Sequence, residues 1–315
     1  MIAVLHAEHQ PQLDALDGVA ELRFATADRL AEAVDGADAL LVWDFFSGAL
    51  ETVWPQATSL RWVHAASAGV DTLLFDELVE SDVQVTNSRG VFDRPIAEFV
   101  LGSILMFAKD SARSLRLQAQ QTWQHRQTEQ ITGTRALVVG TGSIGRETAR
   151  LLDTVGIDVE GAGRTARSDD SDFGIVHASA DLESIAGQFD WIVLLAPLTE
   201  ATSGMVDSAV LRAMKPTARL INVGRGELVV TDDLVDALRN GVIAGAALDV
   251  FDTEPLPAEH PLWAMDNVTI TPHMSGDALG WRDRLADVFV DNVFRYVDGK
   301  PLRNVVDKGR GYVPG

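Results

Sequence analysis

Short, mostly apolar runs punctuate the first hundred residues at Ile2–His6, Leu22–Ala25, Ala39–Trp43, Trp62–Ala66 and Val83–Thr86. They are too short for buried helices and read as buried strands. Between them, Thr26–Val34 and Asp71–Val79 carry apolar residues at helical spacing, so this part of the chain predicts a βα array. From Pro95 to Gln121, Ile96, Phe99, Val100, Ser103, Ile104, Phe107 and Leu115 recur at intervals suited to one long helix, with Pro95 in its first turn. A second array follows, with strands expected at Ala136–Val139, Asp158–Ala162, Trp191–Leu195, Leu220–Val223, Ala246–Val250 and Val268–Thr271. A closing helix is expected over Trp281–Val297, where Leu285, Val288, Phe289, Asn292, Val293 and Tyr296 share one face. Two such arrays predict an α/β protein of two lobes, each with a parallel sheet. No low-complexity tract or flexible linker separates them, so a stiff helical junction and a cleft between the lobes are expected.

Composition narrows the class. A chain of 315 residues suits two domains at about 100–200 residues each. Cysteine is absent, which excludes disulfides, thiolate metal sites and a cysteine nucleophile; no metal site is expected. The start lacks the basic leader of a signal peptide, and no apolar run approaches the roughly 18 residues of a membrane span, so a cytoplasmic protein with no membrane partner is expected. Asp and Glu number 46 against 26 Lys and Arg, a formal charge of −20, which disfavours binding nucleic acid through its phosphates. Only Lys109, Lys215, Lys300 and Lys308 are lysines. A surface so rich in carboxylate self-repels unless salt screens it, so a salt-rich cytoplasm is expected.

The first chemical signal is "LVVGTGSIG", Leu137–Gly145. An apolar strand runs into Gly140, Gly142 and Gly145 and on into a helix, so backbone amides near Ser143 and Ile144 would face a pyrophosphate at a helix N-terminus. Glycines so spaced also occur in other Rossmann-like proteins such as methyltransferases; the absence of a following Lys-Ser/Thr excludes a P-loop. An NAD site usually carries an acid about 20 residues beyond the glycines to bind the adenosine ribose. Here that tip reads Gly163-Arg164-Thr165. Glycine leaves room, and the guanidinium and hydroxyl suit a 2′-phosphate, so the tip predicts NADPH over NADH; a solvated turn holding Arg164 and Arg167 is the alternative.

Three polar residues fall at expected strand ends, where open α/β sheets bind ligands: Arg225 in "INVGRGELV", Glu254 in "LDVFDTEPLP" and His273 in "TITPHMSG". A histidine beside a carboxylate stays protonated nearer neutrality and suits protonation of a carbonyl as hydride arrives. An arginine clamps a carboxylate and polarises the adjacent carbonyl. Each also has a plain reading, as a surface ion pair, a loop acid or a strand-end cap. The other six histidines, His6, His9, His64, His125, His177 and His260, have no comparable company and read as structural or exposed.

Taken in order, "LVVGTGSIG", "APLTEAT", "NVGRGELV", "ALDVFDTEPLP" and "ITPHMSG", with "SAGVDTL", "NSRGVFDRPIAEFVLG" and "PLRNVV", resemble the D-isomer-specific 2-hydroxyacid dehydrogenase family over nearly the whole chain. The resemblance implies a flavodoxin-like substrate lobe, residues 1–98 with 285–315, and a dinucleotide-binding Rossmann lobe, residues 99–284. It implies that Arg225 binds the substrate carboxylate and carbonyl, His273 is the acid/base and Glu254 its hydrogen-bond partner. Asp249 would hold the nicotinamide carboxamide, Ala196, Pro197 and Val223 would lie along the coenzyme, and the Ala68 and Gly69 amides would bind the substrate carboxylate. The tip at 163–165 is similar to the family's NADP-preferring glyoxylate, hydroxypyruvate and ketoacid reductases, with NADH the less preferred coenzyme. Family formate dehydrogenases carry an amide where Glu254 stands, so the acid implies reduction of a 2-oxoacid. A homodimer built around the long helix is implied as well. Phe45 and Phe46 either line a side-chain pocket for an aliphatic 2-oxoacid or belong to the lobe core. Alternatives are a glyoxylate/hydroxypyruvate reductase and a corepressor-like, nucleotide-sensing interaction protein of the same fold.

Overall fold

Continuously apolar runs become strands buried on both faces, as parallel sheets covered by helices require. The computed structural model describes residues 1–314. It divides into two compact units, Met1–Phe92 with Ala278–Gly315, and Asp93–Asp277.

In unit 1, β1 (Ile2–Leu5), β2 (Leu22–Ala25), β3 (Ala39–Val42), β4 (Trp62–Ala65) and β5 (Gln84–Asn87) form a sheet of order β2-β1-β3-β4-β5. Every neighbouring pair is parallel, the flavodoxin-like order. All residues of β1, β3 and β4 are buried, while β2 at the edge exposes Arg23 and Phe24. Short helices α1 (Leu30–Val34), α2 (Ala49–Val53) and α3 (Asp76–Glu80) cover it. The helical spacing over Asp71–Val79 overran: the Val70 carbonyl takes the amides of Leu73 and Leu74 in a turn, and the helix starts only at Asp76.

Unit 2 opens with α4 (Asp93–Ala108) and α5 (Ser111–Ala119), where the spacing from Pro95 to Gln121 predicts one helix. Asp110 breaks it with left-handed backbone, φ 49°. Arg126 holds that break, with Nε 2.6 Å from the Asp110 carboxylate and Nη2 2.7 Å from its carbonyl. Then follow β6 (Arg135–Val139), α6 (Ser143–Thr154), β7 (Asp158–Gly163), β8 (Arg167–Asp170), β9 (Gly174–Ala178), α7 (Leu182–Ile185) and β10 (Trp191–Leu194). The remainder is α8 (Ser208–Ala213), β11 (Arg219–Asn222), α9 (Thr231–Arg239), β12 (Gly245–Leu248) and β13 (Val268–Ile270).

The unit 2 sheet runs β13-β12-β11-β10-β6-β7-β9-β8. Its inner strands β9-β7-β6-β10-β11-β12 have the Rossmann order, and β13 extends one edge in parallel. The other edge corrects the expectation of wholly parallel sheets, because β8 pairs antiparallel with β9. Nothing apolar in Arg167–Asp170 marks a strand; ion pairs hold it instead. The Arg146 guanidinium forks onto both Asp170 oxygens at 2.9 Å, Arg167 reaches the same carboxylate at 2.8 Å, and these cations hold the Asp170 carboxyl far below the usual carboxylate range.

The last helix, α10 (Trp281–Val297), belongs to unit 1 and spans the residues its spacing predicts. Phe289 stacks on Trp62 with ring centroids 5.4 Å apart, and Val305 then bridges Thr86 at the β5 edge. Among the described residues, no helix is long and apolar enough to cross a membrane.

Candidate active site

Neighbouring parallel strands end side by side, so the loops after β7, β6, β10, β11, β12 and β13 share one edge of the unit 2 sheet. The glycine-rich loop is built by space as much as by flexibility. Gly140 has φ 116°, and a Cβ there would lie 2.5 Å from the Leu195 carbonyl carbon, so the loops after β6 and β10 meet backbone to backbone. A Cβ on Gly145 would lie 1.9 Å from the Gly140 carbonyl oxygen, so only glycine lets α6 start against β6. Gly142 caps α6 with open space around it, and Ser143 and Ile144 form its first turn, with Ser143 Oγ 3.2 Å from Asp93. This cradle fits a dinucleotide pyrophosphate. Gly163 ends β7, and Arg164 and Thr165 are exposed beyond it. Arg167, two residues further on, pairs with Asp170 at 2.8 Å.

After β10, Ala196 is buried and Pro197 exposed; Thr202 Oγ1 donates to the Pro197 carbonyl at 2.7 Å and takes the Thr199 amide at 2.8 Å, which fixes this turn. Val223 is buried after β11. Next comes Arg225, on a turn shaped by a residue outside the candidate set. Asn222, itself buried, donates Nδ2 to the Arg225 carbonyl at 2.8 Å, accepts the Gly224 amide at 3.1 Å, and through its own carbonyl takes the Asp249 amide at 3.0 Å. A polar residue closing an apolar strand just before Gly-Arg-Gly was the signal available.

Asp249 is fully buried and holds the next loop. Its Oδ1 accepts from Thr271 Oγ1 at 2.6 Å and from the Met274 amide at 2.9 Å, and its Oδ2 from the Ser275 amide at 2.8 Å. The Asp249 carbonyl also takes the His273 amide at 2.8 Å. Thus the carboxylate expected to meet the coenzyme also builds the loop that carries His273. His273 has φ 52°, a conformation that few side chains adopt and that this bonding sustains. Its Nδ1 lies 2.9 Å from Glu254 Oε2, while Glu254 Oε1 accepts the Phe251 amide at 2.9 Å. The carboxylate is fixed from one side and aims the imidazole from the other.

The remaining expected residues lie in unit 1. Ala68 and Gly69 follow β4 in a turn where Ser67 Oγ donates to the Gly69 carbonyl at 2.6 Å and Asn87 Nδ2 to the Ala68 carbonyl at 2.5 Å. Among the described residues, no protein acceptor takes either of their amides. Phe45, half-buried after β3, is not in the lobe core; it packs on Phe46 at 4.6 Å and edge-on to Trp281 at 6.4 Å. One expectation about histidines fails. His177 has carboxylate company, with Nε2 2.6 Å from Glu160, which also binds Arg135. That pair bridges β7 and β9 and lies apart from the strand-end loops. His64 is buried against Thr86 and Ser88. Among the described residues, no cluster of side chains could hold a metal ion.

Comparison with known proteins agrees with this geometry. The family described as D-isomer specific 2-hydroxyacid dehydrogenase, NAD binding domain, matches residues 101–275. A glyoxylate reductase of Thermofilum pendens is 31% identical over 81% of this chain and 77% of its own. A D-isomer specific 2-hydroxyacid dehydrogenase from Xanthobacter autotrophicus, solved with NADPH and MES, is 32% identical with TM-score 0.85, covering 99% of this chain and 100% of that one. An NADPH-dependent glyoxylate/hydroxypyruvate reductase from Sinorhizobium meliloti, solved with NADP and sulfate, is 26% identical with TM-score 0.82 over 99% of both chains. The chain therefore belongs to the D-isomer-specific 2-hydroxyacid dehydrogenase family, with its dinucleotide-binding domain, and is an oxidoreductase acting on the CH–OH group.

Proposed function

We propose that the protein is an NADPH-preferring D-2-hydroxyacid dehydrogenase working mainly as a 2-oxoacid reductase. The observation that carries this reading is the 2.9 Å contact of His273 Nδ1 with Glu254, on a loop next in the sheet to the one bearing Arg225. With Nδ1–H given to Glu254, Nε2 is the nitrogen of His273 that holds the proton for the substrate. The coenzyme, when bound, supplies hydride to C2 of the oxoacid. His273 gives its proton to the carbonyl oxygen, Glu254 aims the ring through Nδ1, and Arg225 holds the carboxylate and polarises the carbonyl. The Ala68 and Gly69 amides are further donors for that carboxylate. Asp249 has one acceptor position left after its three bonds, which suits the nicotinamide carboxamide. Gly140, Gly142, Ser143, Ile144 and Gly145 take the pyrophosphate, and Ala196, Pro197 and Val223 flank the nicotinamide half. Gly163, Arg164 and Thr165 take the 2′-phosphate, supported by the relatives solved with NADPH and NADP.

The aromatic cluster at Phe45 favours an aliphatic 2-oxoacid. Glyoxylate is the second reading, favoured by the names of the relatives. We read the working form as a cytoplasmic homodimer, since Leu115 on α5 and Trp123 just beyond it expose large apolar side chains. A panel from glyoxylate to 2-oxohexanoate, assayed with NADPH and NADH at low and high salt, tests the reading. Turnover highest with NADPH and a longer oxoacid is expected; turnover confined to glyoxylate selects the second reading. Absence of turnover with every oxoacid overturns both and favours an interaction protein.

A further inference from the structure

Gly161 and Gly163 lie two apart on β7 and so face the same side of the strand. Neither is in the left-handed region, so backbone conformation does not demand glycine at either position. What they share is Thr141, the residue between the first two glycines of the phosphate loop. A Cβ on Gly161 would lie 3.0 Å from Thr141 Cγ2 and 3.0 Å from the Phe173 ring; one on Gly163 would lie 3.0 Å from Thr141 Oγ1. The two missing side chains leave a trough in β7, and Thr141 sits across it, methyl toward one glycine and hydroxyl toward the other.

Thr141 has little freedom to move away. Branching at Cβ restricts its χ1, and any rotation that relieves one glycine disturbs the branch over the other. Its backbone is pinned on one side by the close approach of Gly140 to Leu195 and Ala196 and on the other by the start of α6 at Ser143. Position 163 is where an NAD-selective protein of this fold carries its ribose-binding acid. We propose that Thr141 is a coenzyme-specificity determinant: it occupies the space that an acidic side chain at 163 would enter, so the loop and the strand tip reject that arrangement together. This rests on the reading that the tip receives the 2′-phosphate. It assigns the rejection of NADH to a pair of residues, and makes Gly163→Asp alone unable to convert the site.

The test compares the unsubstituted protein, Thr141→Ala, Gly163→Asp and the double variant. Thermal midpoints without coenzyme, and calorimetric Kd values for NAD+ and NADP+, are the readouts. Gly163→Asp alone is expected to lower the midpoint and weaken NADP+ without gaining NAD+. Adding Thr141→Ala is expected to recover much of the midpoint and to tighten NAD+ by about tenfold or more, the scale of a hydrogen bond to a charged group. If Gly163→Asp does not fold, rescue by Thr141→Ala supports the proposal and failure of rescue overturns it. A Gly163→Asp variant that gains NAD+ unaided, or midpoint changes that simply add, overturns the role of Thr141. Equal affinity of the unsubstituted protein for both dinucleotides instead overturns the underlying NADPH reading and, with it, any specificity to determine.

Discussion

His273 Nδ1 lies 2.9 Å from Glu254 Oε2, and the other oxygen of that carboxylate is tied to the Phe251 amide at 2.9 Å. Through that contact Glu254 fixes which ring nitrogen of His273 is left to exchange a proton with a substrate. Glu254→Gln, an amide in place of the carboxylate, is expected to lower kcat for ketoacid reduction and for hydroxyacid oxidation by about tenfold or more, with KM for NADPH nearly unchanged. Steady-state kinetics in the two directions check this, and an unchanged kcat contradicts it.

Arg164 is exposed just beyond the end of β7. Arg164→Ala is expected to lower kcat/KM with NADPH about ten- to a hundredfold, mainly through KM, and to leave NADH nearly unchanged; a charge-assisted contact worth about 1.5–3 kcal/mol sets that scale. Paired kinetics with both coenzymes read it out. An equal loss with both would move the phosphate contact elsewhere.

Much of this site was legible because its chemistry sits where strands end. Apolar runs such as those of β1, β6 and β10 give strand positions, and the glycines with Arg225, Glu254 and His273 fall just after them. Features made by polar residues were not legible. β8 has no apolar residue and depends on Arg146, which lies on α6 and is brought to Asp170 only by the fold. Likewise, the break at Asp110 needs Arg126, and the company of His177 needs Glu160 from the neighbouring strand. Asn222 shapes its turn through hydrogen bonds of 2.8 and 3.1 Å, and Thr141 lies 3.0 Å from where Cβ atoms on Gly161 and Gly163 would stand; no spacing rule contains such contacts. Periodicity reports which face is apolar; it does not report pairing between polar groups far apart in sequence.

His64 supplies a stability test independent of catalysis. Burial pushes its imidazole down to about 3, from an ordinary 6.5, with Nδ1 2.7 Å from Thr86 Oγ1 and Nε2 3.3 Å from Ser88 Oγ. Between those two values the unfolded chain binds a proton at this residue that the folded one does not, so stability falls as pH falls. The slope from this group is about 1.4 kcal/mol per pH unit below the unfolded value. Urea unfolding of the unsubstituted protein and of His64→Gln, from pH 7 to pH 5, is expected to show the shallower acid loss in the variant. Parallel losses contradict the assignment.

Net charge gives a prediction about salt. An excess of acidic groups that brings the formal charge to −20 repels itself at low ionic strength, and the Debye length shrinks from about 10 Å at 0.1 M to about 3 Å at 1 M. The thermal midpoint is expected to rise from low to molar KCl. A flat or falling midpoint removes the inference of a salt-rich setting and leaves the enzymatic reading in place.

The role of His273 as proton donor is tested by steady-state NADPH oxidation with a 2-oxoacid by the unsubstituted protein and by His273→Ala, alongside NADPH binding. Turnover to the D-hydroxyacid is expected, with a fall in kcat of order 10²–10⁴ in the variant and a nearly unchanged Kd for NADPH. A His273→Ala protein that keeps near-full kcat would contradict that role.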